Sequence, residues 1–186
     1  MKALLTEINL PKGPLELPGS ADPSHPLWQL LESVTDPEIP VLSLREIGVL
    51  RAICPGPLGW KVFITPTYSG CPALLTMQED ISRCLAEVGF QAEVFTCLSP
   101  AWSSDWLTDS GKEKLRAYGI SPPHKVSAIG EEQVIHWVSA KPRTSVACPQ
   151  CGSTDTTQTS YFGSTACKAL YTCRSCLEPF DYFKPC

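Results

Sequence analysis

Between residues 24 and 123 the apolar positions fall into short runs whose period switches between helix and strand. Leu27, Leu30, Leu31 and Val34 recur at spacings of three, one and three, which is one face of a helix. Asp36-Pro37-Glu38-Ile39-Pro40 ends that helix, because proline has no amide donor and disfavours helix in the residue before it. Ile47 to Ile53 reads as a strand, and Cys54 to Gly59 is dense in turn residues. Trp60 to Thr65 reads as a second strand, with Trp60, Val62 and Ile64 alternating against Lys61, Phe63 and Thr65, so the two runs predict a hairpin. Leu74, Met77, Ile81, Leu85 and Val88 form a helical stripe opposite Glu79, Asp80, Arg83 and Glu87. Pro72 suits the first helical position and Gly89 the stop. Gln91 to Thr96 is a third strand, and Asp109 to Tyr118 a short helix halted by Gly119.

The rest of the chain has no such pattern. Residues 1–23 hold four prolines and two glycines and read as a flexible arm. Residues 124–145 read as a linker with one strand-like patch, Gln133 to Val138. Residues 146–186 form a separate cysteine-rich unit. The expected organisation is α+β: a small α/β domain over residues 24–123, then the linker, then the small unit.

Composition narrows the function. With 186 residues, 43% apolar and 18% charged, the chain can bury a core. A formal net charge of −4 argues against a nucleic-acid-binding surface. No run of about 18 apolar residues predicts a membrane span, and Met1 to Leu17 has no secretion-signal pattern, so a cytoplasmic location is expected. Ten cysteines against three histidines favour thiolate chemistry over mechanisms that need several imidazoles.

Six of the ten cysteines lie between Cys148 and Cys186. Cys148-Pro149-Gln150-Cys151 and Cys173-Arg174-Ser175-Cys176 are two C-x-x-C turns with twenty-one residues between them. Each turn aims two sulfurs at one point, and two turns complete a tetrahedron. A unit of about 40 residues seldom folds without a staple. Metal binding supplies on the order of 10 kcal/mol toward folding. Zinc is the first expectation and an iron–sulfur cluster the second, since thiolates suit both. Four thiolates leave no open position for substrate, so the role is structural. Cys167 and Cys186 are alternative ligands.

Cys71 stands before Pro72 at the start of the second helix, where unpaired amides and the helix dipole favour a thiolate. The competing reading is a small buried apolar residue. A nucleophilic role needs a base, and only His124 or His136 offers one, so catalysis by this chain is not expected. Asp36 and Glu38 can serve as oxygen ligands, or can merely cap a turn. No G-x-G-x-x-G, no P-loop and no Glu-x-x-His occurs, which removes nucleotide and bundle-type di-iron chemistry.

Asp36 to Gly48 (DPEIPVLSLREIG) resembles the signature of the SufT-like, or MIP-type, domain of iron–sulfur assembly factors. Thr65 to Pro72 (TPTYSGCP) resembles that domain's second motif, with its single cysteine. Glu46 stands where the domain usually has Asp. Phe162 to Tyr171 and Glu178 to Lys184 resemble the PaaD family, small subunits encoded with the phenylacetyl-CoA 1,2-epoxidase of phenylacetate degradation. The resemblance runs from about residue 25 to the end. It implies a small two-layer α/β sandwich followed by a zinc ribbon, and transient handling of iron or a cluster by Cys71 beside Asp36 and Glu38. It implies an accessory chain in the epoxidase system that matures metal centres or stabilises the complex, or a general iron–sulfur assembly factor. The implied partners are the other epoxidase subunits or iron–sulfur assembly proteins, with no nucleic acid and no membrane. A homodimer is left open.

Overall fold

Prolines and glycines set the ends of the elements, and the apolar runs between them decide which elements pair. The computed structural model describes residues 20–57, 59–125 and 145–186. The expected arm before Ser20, most of the expected linker and the strand expected at Gln133–Val138 lie outside the described residues. The chain divides into two units, one ending at Thr108 and the other beginning at Asp109.

The first unit opens with α1 (Pro26–Leu31), capped by His25, whose Nδ1 accepts from the Leu27 amide at 3.3 Å. Its buried face is Leu27, Trp28 and Leu31. A two-stranded antiparallel ribbon follows, β1 (Thr35–Asp36) with β2 (Ile39–Ser43). A strand through Pro40 is not expected from the residues alone. Pro40 fits because it is exposed in a two-stranded sheet, where a missing amide costs no interior ladder bond.

The main sheet has the order β3-β4-β5, with β3 (Leu50–Gly56), β4 (Gly59–Ile64) and β5 (Ala92–Thr96). β3 and β4 are the expected hairpin, antiparallel with Ile53 opposite Val62. β5 runs parallel to β4, with α2 (Leu74–Glu87) as the crossover between them. Val62, Phe63, Ile64 and Thr65 are all buried, so the expected one-sided alternation of β4 is corrected. The central strand has no free edge, and both of its faces are covered. On one face Phe63 stacks on Phe95 at 5.4 Å and packs on Ala52.

Helix α2 buries Met77, Ile81 and Leu85, as the stripe predicted. Its first residue is Leu74 rather than Pro72, because Pro72 and Ala73 form a turn ahead of it. Gly89, at φ +83°, ends it. The Gly89 amide donates to Ala86 O and the Phe90 amide to Leu85 O, at 3.0 Å each, which is the Schellman closure.

In the second unit α3 (Asp109–Ala117) stops at Gly119 as expected, with φ +88°. It leads into β6 (Ile120–Ser121), which pairs with β9 (Pro179–Phe183) in a four-stranded sheet of order β6-β9-β8-β7, completed by β7 (Thr156–Ser160) and β8 (Lys168–Cys173). The parallel pairing of Ile120 with Asp181 and Ser121 with Tyr182 moves the unit boundary forward from the expected residue 123. A short strand supplied from before the linker completes the ribbon's sheet, and nothing in its own few residues signals that distant partner. The architecture is thus a small α/β unit and a β-ribbon unit. No helix among the described residues is long and apolar enough to cross a membrane.

Candidate metal centre

The two C-x-x-C turns are built alike. In the first, the Cys148 amide donates to Ser153 O at 2.9 Å and the Gly152 amide to Cys148 O at 2.9 Å. In the second, the Cys173 amide donates to Glu178 O at 3.0 Å. The residue four positions after the first cysteine is left-handed in both: Gly152 at φ +74° and Leu177 at φ +66°. Glycine adopts that conformation at no steric cost, whereas leucine adopts it only under constraint. Leu177 is therefore held by the turn, and nothing in its residue type signals it. The knuckles are joined to each other by Ser153 Oγ and Ser175 Oγ, 2.7 Å apart, and by the Arg174 amide donating to Asp155 O at 2.8 Å.

This closure brings four sulfurs together. Their Sγ atoms all lie within 4.8 Å of one another. Cys148 Sγ is 3.7 Å from Cys176 Sγ, and Cys151 Sγ is 3.6 Å from Cys173 Sγ. A tetrahedral ion with Zn–S bonds of about 2.3 Å has sulfurs about 3.8 Å apart along each edge. The residues present therefore fit one tetrahedral ion. A cluster of several irons would hold its four thiolates further apart.

Cys148 and Cys173 are buried, and Cys151 and Cys176 are exposed. The inner pair belongs to the ribbon's own core with Val146, Ala169, Phe180 and Tyr182, against which Tyr171 packs. That core is small, and an ion on the four sulfurs would add a staple to it. The amide of Cys176 donates to Cys173 Sγ and, as the largest influence, pulls the Cys173 thiol down to about 6. The Glu178 amide pulls Cys176 down, but lost hydration and hydrogen bonds with Cys173, Cys151 and Cys148 outweigh it and leave that thiol at about 12. Hydrogen bonding thus splits the cluster, favouring the thiolate at Cys173 and the thiol at Cys176.

Among the described residues this is the one place where three or more His, Cys, Asp or Glu ligand atoms gather closely enough to hold an ion. Cys167 and Cys186 are not brought to it. Cys167 immediately precedes β8 and Cys173 ends that strand, so six steps of about 3.3 Å separate them by about 20 Å.

Asp36 is buried at the end of β1, and its Oδ1 accepts from the amides of Glu38 at 2.7 Å and Ile39 at 3.0 Å. Glu38 is half-buried. Cys71 is half-buried in the turn before α2, its amide donating to Tyr68 O at 3.2 Å and its carbonyl accepting from the Leu74 amide at 3.3 Å. Cys71 thus sits three residues ahead of the helix rather than on its first turn. His124 lies in the second unit against Tyr182, and His136 is outside the described residues. The pair that sequence reasoning missed is Lys168 with Asp181, a buried ammonium 3.6 Å from a carboxylate. Only the β8–β9 register brings them together.

Residues 137–184 match the family described as the PaaD zinc beta ribbon domain. A protein of Escherichia coli strain K12, provisionally named as a component of 1,2-phenylacetyl-CoA epoxidase, is 46% identical over 161 residues, which cover 86% of this chain and 92% of that one. Among solved structures, a domain of unknown function, DUF59, from Bacillus anthracis is 23% identical with a TM-score of 0.45, covering 48% of this chain and 88% of its own. A conserved hypothetical protein from Thermotoga maritima is 20% identical with a TM-score of 0.42, covering 53% and 97%. A Mycobacterium tuberculosis protein described as associated with Fe–S complex assembly and repair is 24% identical with a TM-score of 0.31, covering 55% and 97%. Close to half of the aligned positions are identical over 86% of this chain and 92% of the E. coli protein, and the ribbon matches its own family model: the chain belongs to the PaaD family.

Proposed function

We propose that this chain is a non-catalytic accessory component of a phenylacetyl-CoA 1,2-epoxidase system, acting in the maturation of that system's iron or iron–sulfur centres. The observation that carries the reading is its 46% identity to the E. coli protein named as a component of that epoxidase. The donor set supports a division of labour within the chain. Four thiolates converging on one point saturate a tetrahedral ion, which is zinc in this reading and serves to fold the ribbon. A saturated ion offers no position for cargo, so cargo handling falls to Cys71.

In this reading iron or a cluster is the transferred substrate. The Cys71 thiolate is its transient ligand, half-exposed in the turn that precedes α2. The second oxygen of Asp36 and the carboxylate of Glu38 assist, while Asp36 Oδ1 keeps the turn closed through its two amide bonds.

One observation favours a second reading, a docking component with no metal traffic: Cys71, Asp36 and Glu38 are not gathered into a three-ligand group among the described residues. Metal and sulfide analysis of protein purified without oxygen, wild type beside Cys71→Ala, separates the two. One zinc per chain in both, with iron present only in the wild type, supports the carrier. Equal iron in both, or epoxidase iron content and activity unchanged when this chain is deleted from the producing cell, overturns it. No iron in either protein, with epoxidase assembly lost on deletion, is the result expected of the docking component.

A further inference from the structure

The metal centre uses four of the six cysteines of the ribbon unit and leaves a second cysteine pair at the other end of the same strands. Lys168 pairs with Phe183 in the antiparallel β8–β9 ladder, and the Lys184 amide donates to Cys167 O at 2.9 Å, so Cys167 faces Lys184. Cys186 lies beyond the end of β9, two residues after Lys184 and so at most about 7 Å from it along the chain. Continuing the strand alternation would put it one diagonal step, about 7–8 Å, from Cys167. A disulfide has its Cα atoms about 5.5–6 Å apart. Pro185 has no amide to extend the ladder and lies beyond β9, so Pro185 and Cys186 can close the difference without breaking a strand pair.

The turn that carries Cys167 is anchored firmly. The Lys168 amide donates to Thr165 O at 3.1 Å, and the Gly163 amide to Lys168 O at 2.8 Å. Lys168 is buried at 4% exposure with its ammonium 3.6 Å from Asp181, and Ser164 Oγ donates to the same carboxylate at 3.4 Å. A Cβ at Gly163 would stand 2.8 Å from Asp181 Oδ1, so a larger residue there would push that carboxylate aside. Thr165 Oγ1 is 3.0 Å from Cys167 Sγ. Once Cys167 has lost its proton, the hydroxyl is the only possible donor of the two, and its hydrogen bond favours the thiolate.

We propose that Cys167 and Cys186 form a redox-active dithiol that closes to a disulfide under peroxide, independently of the metal centre and of the role assigned to Cys71. The Cys167 thiolate attacks a peroxide oxygen; an S–O bond forms, the O–O bond breaks, and the leaving oxygen departs as water after protonation. The Cys186 thiolate then attacks the sulfenic sulfur; an S–S bond forms and hydroxide leaves, protonated to water. Two thiols and one peroxide become one disulfide and two waters, with sulfur oxidised and peroxide reduced. The clamped turn holds the attacking sulfur and the exposed tail brings the resolving one.

The test treats the metal-loaded full-length protein with one equivalent of hydrogen peroxide, alkylates remaining thiols and measures intact mass and metal content. The expected result is one disulfide per chain, about 2 Da lost before alkylation, with metal retained, and no disulfide in Cys167→Ser or in Cys186→Ser. Fragment ions from digested wild type should join the peptide ending at Lys168 to the peptide ending at Cys186 through these two sulfurs, a readout that needs no variant. A disulfide that persists in either serine variant overturns the proposal. So does metal release in step with oxidation, or over-oxidation of Cys167 without a crosslink.

Discussion

Cys148 Sγ lies 3.7 Å from Cys176 Sγ although twenty-eight positions separate the two residues. The β7–β8 hairpin and the paired knuckles close that loop, and a tetrahedral ion on the four sulfurs would hold it closed. A loop of this length is entropically costly to close, and the six-residue core around Cys148 and Cys173 is a small counterweight.

Cys173→Ser removes one corner of the tetrahedron and a fully buried member of that core. The expected result is loss of the metal from the ribbon and unfolding of that unit, with the first unit still folded. Metal analysis together with an amide NMR spectrum checks this: ribbon resonances collapse toward random-coil positions while those of residues up to Thr108 stay dispersed. Retained metal with an unchanged spectrum rules out the four-sulfur assignment.

The four sulfurs bind an ion as thiolates, so metal loading must displace their protons. Hydrogen bonds hold the Cys173 thiol down at about 6 and leave Cys176 up at about 12, so protons are displaced throughout the range between these values and apparent affinity should fall steadily as pH falls. A competitive chelator titration at several pH values measures the slope; an affinity independent of pH contradicts the thiolate site.

Trp106 is held from two sides in the first unit. The Arg51 guanidinium lies 3.6 Å from the centre of its ring, and a Cβ at Gly48, φ +76°, would stand 2.7 Å from its Cβ. Burial lowers the Arg51 pKa from its usual value, opposed by Cys97, and the aromatic face compensates part of the lost hydration. Trp106→Ala should destabilise this unit by about 3–5 kcal/mol. Gly48→Ala should cost at least the roughly 1–2 kcal/mol of a left-handed non-glycine residue. Urea unfolding followed by tryptophan fluorescence reads both, since four of the five tryptophans precede Thr108. A Gly48→Ala midpoint equal to wild type contradicts the packing described.

The α2 stripe with its glycine stop, the β3–β4 hairpin and the two cysteine knuckles are all legible in the residues, because each depends on neighbours a few positions away. Helical period, turn composition and C-x-x-C spacing are local properties, and the folded chain keeps them. The resemblance of Asp36–Gly48, Thr65–Pro72 and the ribbon to known motifs likewise needs only short stretches. What tertiary structure decided is what depends on distant partners. β4 is the central strand with both faces covered, which erases its alternation. Ile120–Ser121 joins the ribbon sheet through β9, which shifts the unit boundary. Lys168 meets Asp181, and Cys167 faces Lys184 at the end opposite the metal site, because one antiparallel register sets every cross-strand neighbour at once. Such pairings are chosen by the free energy of the whole sheet, and no single stretch of sequence carries that information.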